Sequence, residues 1–251
     1  MKLLKRQTKK PANLGLSTLL HILVTAALPV MFYILVRLDF GWIAVALLFL
    51  SKWRMFALKV RHWPASIRGN SVDIITGLSF IIFMVVSTSQ TSQLLWAAIY
   101  AAWLLVIKPQ TSALWIGVQA LFSQALSLAA VYYFYSDASI LTLVILTWMI
   151  TYSCARHFLT AFDEAMSRAT AYAWAFFGAC IAWLSGHWLI FYGAIAQPAL
   201  LICVLAYGLA SIYYLEHTDR LAKNTRRQFI FVMAAVVMFI ILFSDWSDKI
   251  N

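Results

Sequence analysis

From residue 15 to residue 244 the chain is a succession of apolar runs separated by polar breaks short enough to be turns. This pattern constrains the fold more than any other feature. A helix crossing the hydrocarbon of a bilayer needs about 20 predominantly apolar residues, and runs of that length recur with no stretch left over for a soluble domain. At 63% hydrophobic and 11% charged over 251 residues, the chain lies well away from soluble domains, which are about half apolar and a quarter charged. In lipid every backbone polar group must be satisfied internally, which restricts spanning structures to helices and closed barrels. The runs are continuous rather than alternating in blocks of about ten residues, which excludes a barrel. The expected fold is all-α, a polytopic transmembrane helical bundle forming one integral membrane domain over 1–251, with a basic N-terminus at 1–14, the bundle at 15–244 and a short tail at 245–251.

Hydropathy predicts nine spans, at 15–37, 40–57, 71–88, 92–107, 111–134, 138–155, 170–192, 197–215 and 228–244. With the N-terminus inside, the inner segments hold 17 of the 19 Lys and Arg, leaving only Arg37 and Lys249 outside. This asymmetry predicts N-in and C-out orientation in a plasma (bacterial inner) membrane. It also explains the net charge of +10 through attraction to anionic inner-leaflet lipids, without nucleic acid. The basic start "MKLLKRQTKKPANLG" precedes an apolar run from Leu16 to Val36, longer than the ~7–15 residues of a cleavable signal core. It reads as a retained first span.

The second span has only twelve residues between Asp39 and Lys52. A full helix ending on snorkelling Lys52 and Arg54 is expected over a half-length segment. Beyond it, Trp53, Phe56, Ala57, Val60 and Trp63 share a helical stripe that suits an interfacial helix closed by Pro64. Asn70 is the expected N-cap of span three. That places Asp73 in its first turn, opposite Lys52 and Arg54 and ready to form an ion pair.

Chemistry-bearing motifs are sparse. "RHFLTAFDEAMSRA" at 156–169 carries two arginines, a histidine and two carboxylates. Phe158, Leu159, Phe162, Ala165, Met166 and Ala169 recur at helical spacing, so it reads as an amphipathic connecting helix, with Glu164 four residues before Arg168 for an ion pair. A site here needs a nucleophile or metal constellation beside His157 and Glu164, and none is adjacent in sequence. "LSGHW" at 184–188 is similar to the Ser-Gly-His element of the type 2 phosphatidic acid phosphatases. The resemblance covers Ser185, Gly186 and His187 only. The family's Lys-x6-Arg-Pro and Arg-x5-His-x3-Asp elements have no counterpart, so neither the phosphate-holding cations nor the nucleophilic histidine are present. His187 is instead expected in the outer turn of span seven among Trp183, Trp188 and Tyr192.

HExxH and Gly-x-Ser-x-Gly signatures are missing. Cys154, Cys180 and Cys203 fit no disulfide or thiolate metal pattern, and Asp245 with Asp248 supplies too few ligands for a cation. No catalytic residue, cofactor or metal is assigned.

Two helix faces are more informative. In span five, Gln119, Ser123, Gln124 and Ser127 fall within an arc of about 140° at ~100° per residue, and Thr147 and Thr151 lie one turn apart in span six. Such groups face a polar pathway or act as interhelical glue. In span seven, Ala171, Ala175 and Ala179 repeat every four residues beside Gly178 and Ala182, a face for close helix packing. No Asp or Glu lies deep in any span, which disfavours ion-driven transport and intramembrane acid–base catalysis. The function expected is that of a transport-associated protein or membrane-complex subunit, partnered by another membrane protein or a second copy. The alternative is an enzyme acting on a lipid or other amphiphile.

Overall fold

The computed structural model describes residues 16–57, 59–193 and 195–244, with only the backbone described for 16–21 and Arg54. The basic N-terminus, the Asp245/Asp248 pair, Lys249 and the Arg54 side chain expected near Asp73 therefore lie outside the described residues and side chains. The described chain is helical almost throughout: α1 (Leu16–Arg37), α2 (Gly41–Ser51), α3 (Trp63–Val86), α4 (Gln90–Ala102), α5 (Ala113–Phe134), α6 (Ile140–Thr160), α7 (Ser167–Gly186), α8 (Gln197–His217) and α9 (Lys223–Leu242). Between α7 and α8 a two-stranded antiparallel hairpin pairs Phe191 with Ala196 and Tyr192 with Ile195, a strand element that hydropathy does not register. Among the described residues seven helical segments are long and apolar enough to cross a membrane; the part of α1 with described side chains, Ile22–Arg37, and all of α2 are shorter.

Several expectations are corrected. α2 is 11 residues long, about 16 Å at 1.5 Å per residue, so it is a half-length segment rather than a full span. It ends before Lys52, whose backbone N–H donates to Phe49 at 3.0 Å. The stretch after it forms two short 3-10 turns, Trp53–Met55 and Val60–His62, rather than one interfacial helix. Pro64 does not close that stretch; it opens α3, where its fixed φ and missing N–H cost nothing in the first turn. Asn70 lies inside α3 and donates to the Ser66 carbonyl at 2.9 Å instead of capping. Asp73 accordingly sits near the middle of a 24-residue helix. The "RHFLTAFDEAMSRA" stretch is no separate helix. α6 runs through to Thr160, a turn with Asp163 at φ 51° reverses the chain, and α7 begins at Ser167.

Two apolar clusters form the interior. Phe32, Leu48, Phe80, Met84, Tyr100 and Trp103 unite α1–α4, with Phe32 stacked on Tyr100 at 5.6 Å between ring centroids. Leu128, Tyr132, Ile150, Cys154, Ala171 and Ile202 unite α5–α8. α3 and α5 pack against each other where the two clusters meet. α9 packs on α8, and Phe231 and Leu242 remain 74% and 72% exposed.

Candidate functional site

The interface of α3 and α5 gathers two of the six polar side chains that the sequence singles out in spans five and six, Ser123 and Ser127. Ser123 hydrogen-bonds Thr76 at 2.6 Å and Ser127 hydrogen-bonds Ser79 at 2.9 Å, two rungs one turn apart. The α3 partners also bond back within their own helix, to the Val72 and Ile75 carbonyls at 2.6 and 2.7 Å. Small side chains at these positions bring the helix axes close, and the hydroxyls satisfy one another away from water. On the other side of α5, Tyr132 bonds Thr147 of α6 at 2.9 Å, while Thr151 donates to the Thr147 carbonyl at 2.7 Å. Ser123, Thr147 and Thr151 are fully buried.

Gln119 closes a helix end. α4 finishes in a π-helical turn, Trp103–Ile107, in which the Lys108 N–H reaches back to the Trp103 carbonyl at 2.9 Å. A helix C-terminus leaves carbonyls without intrahelical donors, and Gln119 Nε2 donates to those of Ile107 and Gln110 at 2.8 and 3.0 Å. Its Oε1, an acceptor only, receives His157 Nε2–H at 3.2 Å. Gln93 does the same at the other end of α3, donating to the carbonyls of Met84 in its last turn and of Ser87 just after it. Gln124 Oε1 accepts from Trp174 Nε1 at 3.3 Å.

At the basic end lies a three-residue ion cluster. Asp73 Oδ2 receives Lys52 Nζ at 2.9 Å and Lys108 Nζ at 2.7 Å. Lys108, the one Lys or Arg between Arg68 and Arg156, is missing from the sequence reading, although that isolation was the available signal. Two ammoniums on one carboxylate leave a net positive charge. Burial pulls the Lys52 ammonium below its ordinary range, against the Asp73 carboxylate that favours its charged form.

In the α6–α7 turn Glu164 does not pair with Arg168. It accepts from Tyr213 of α8 at 2.6 Å, with His217 at 3.9 Å. Arg156 donates to Ser167, and Arg168 lies over the Tyr172 ring. These contacts tie α6, α7 and α8 together, and they leave His157 engaged with Gln119 rather than facing Glu164. Ala171, Ala175, Gly178 and Ala182 are buried, whereas Ala179 is half-buried. A Cβ on Gly178 would stand 3.1 Å from Thr151 Cγ2, so this face already packs on α6 within the chain. Ser185 is buried, and His187 stands edge-on to Trp183 and Trp188. No cluster of three or more His, Cys, Asp or Glu side chains placed to hold a metal ion occurs among the described residues.

Comparison with known proteins returned no match: no family model, curated protein or solved structure is significantly similar to the chain.

Proposed function

We propose that the chain is a multi-pass protein of the plasma (bacterial inner) membrane, N-terminus inside, that acts without catalysis as a subunit of a membrane assembly rather than as a conduit. One observation carries the reading. Apart from the Gln124 amide nitrogen, the polar groups of α5 and α6 that would line a pathway are engaged with neighbouring side chains and helix-end carbonyls: Ser123 with Thr76, Ser127 with Ser79, Thr147 with Tyr132, and Gln119 with Ile107, Gln110 and His157. A permease keeps such groups in a continuous hydrated lining. Here they join helices, which is the property of a scaffold.

The basic end fits the inner face. Lys52 and Lys108 follow α2 and the π-helical end of α4, Arg68, Lys223 and Arg226 fall in the N-terminal turns of α3 and α9, and Arg156 falls near the C-terminal end of α6, which are the inner ends in the orientation proposed. The net positive charge of the Lys52–Asp73–Lys108 cluster suits anionic inner-leaflet lipids, which attract juxtamembrane cations by about 1 kcal/mol each. The partner is another membrane protein or a second copy of the chain. The test is the mass of the full chain extracted into polymer nanodiscs directly from its membrane. A particle heavier than one 28.4 kDa chain plus its lipid is expected. A single copy alone at every extraction condition overturns the subunit reading.

A further inference from the structure

α6 and α7 pack side by side across the turn that joins them, and each carries a stripe at four-residue spacing that ends on an arginine near that turn. On α6 the stripe is Trp148, Tyr152 and Arg156; on α7, followed back toward the turn, it is Phe176, Tyr172 and Arg168. The stripes meet as a ladder. The Tyr152 ring stacks on Trp148 at 5.5 Å between centroids and lies 4.7 Å from the Tyr172 ring, and the Arg168 guanidinium stands 5.8 Å from the Tyr172 centroid. Arg156 donates to Ser167, the residue before Arg168, which brings the two arginines to one level at the foot of the aromatic rungs. The Arg68 charge, near the start of α3, also acts on the Tyr172 hydroxyl. Among the described residues ion pairs form only at Asp73 and Glu164, so none of the three arginines has a carboxylate partner. Glu164, in the same turn, is drawn away to Tyr213 and His217 of α8.

From two carboxylate-free arginines at the foot of an aromatic ladder, we propose that the inner ends of α6 and α7 bind the phosphate headgroup of one anionic phospholipid. Arg156 and Arg168 hold the phosphate, Arg68 adds charge beside them, and an acyl chain lies along the ladder. A guanidinium presents a planar fork of N–H donors that matches phosphate oxygens two at a time, and the bond to Ser167 occupies one donor of Arg156. The ladder argues for a lipid over free phosphate. Trp148 and Tyr152 are half-buried, Tyr172 is exposed and Phe176 is 68% exposed, so the surface that begins at the arginines continues as an open apolar strip. Aromatic rings of this kind sit at headgroup level, and basic pockets between helices on the cytoplasmic side take anionic headgroups. The inference rests on the inner placement of the α6–α7 turn and is independent of how many copies assemble.

The test is native mass spectrometry of the full chain released from detergent micelles, titrated with dioleoylphosphatidylglycerol or with zwitterionic dioleoylphosphatidylcholine. The spectrum gives the number of chains and the number of lipids separately, so failure of the subunit reading and failure of this one are told apart. The first phosphatidylglycerol is expected to bind about thirtyfold tighter than phosphatidylcholine, which is two cations at about 1 kcal/mol each. Arg168→Gln, at an exposed position, should cut that preference about fivefold, and Arg156→Gln with Arg168→Gln should erase it. Arg226→Gln with Arg227→Gln, which removes the same charge from exposed positions on α9, should leave it intact. Inorganic phosphate in millimolar excess should not displace the lipid. Equal affinity for the two lipids, a preference unchanged in Arg168→Gln, an equal loss in the α9 pair, or displacement by inorganic phosphate overturns the proposal.

Discussion

At the scale of single residues, Asp73 carries the greatest electrostatic burden. One carboxylate oxygen holds two ammoniums, so the three side chains are unequal. Removing Lys108 leaves a neutral Lys52–Asp73 pair, whereas removing Asp73 leaves two cations facing each other, partly withdrawn from water. Asp73→Asn is therefore expected to cost about 1–3 kcal/mol, below the range for breaking a fully buried pair because the three side chains stay 12–34% exposed, with Lys108→Gln costing clearly less. Asp73→Asn combined with Lys108→Gln should recover part of the loss. Thermal unfolding in detergent measures all three, and simple additivity would show that the cluster does not act as a unit. The hydroxyl rungs are individually modest. Ser123→Ala and Ser127→Ala are each expected to cost about 0.6 kcal/mol and at most about 1.7, read in the same assay, with Thr76→Ala adding little once Ser123 is gone.

At the scale of helices, each α-helix among the described residues overlaps an apolar run that hydropathy picks out, but the ends of several differ, and the reason is physical. Hydropathy reports the apolar stretch, whereas α3 and α9 continue beyond it into helical turns bearing Arg68 and Asn70 or Lys223, Arg226 and Arg227. Pro64 was ambiguous for the same reason, since proline stops one helix and starts another, and only the turn before it decides which. The polar face of α5 was legible from its periodicity. Its partners Thr76 and Ser79, three residues apart on α3, were not, because pairing between helices leaves no mark on either alone.

The α6–α7 contact gives a further expectation. Gly178 faces Thr151 at close range while Ala179 is half-buried, so Gly178→Leu should destabilise by about 1–3 kcal/mol through overpacking and Ala179→Leu by much less. Equal effects of the two in thermal unfolding would contradict the packing described. α9 depends on a different device. Beyond its contact with α8, its end is latched where Ser244 meets Tyr192 at 2.8 Å and Gln197 at 2.7 Å. Ser244→Ala leaves the buried Gln197 amide without that acceptor, and faster amide hydrogen exchange over residues 236–244 than elsewhere in α9 is the expected readout.

For the molecule as a whole, orientation and the closed interior can be checked independently. Single cysteines at Thr88 and Ser136 should label with an impermeant reagent from outside, and ones at Gln110 and Asn224 only after permeabilisation; the reverse pattern would invert the topology proposed. The central claim, that the polar groups of α5 join helices instead of lining a path, is tested most directly by scanning cysteines through 116–130 with a small water-soluble thiol reagent, in a chain whose three native cysteines are replaced by serine. Protection at 119, 123, 124 and 127 at every depth is the predicted result. A reactive face recurring with helical periodicity through those same positions would reveal a hydrated passage and contradict the account.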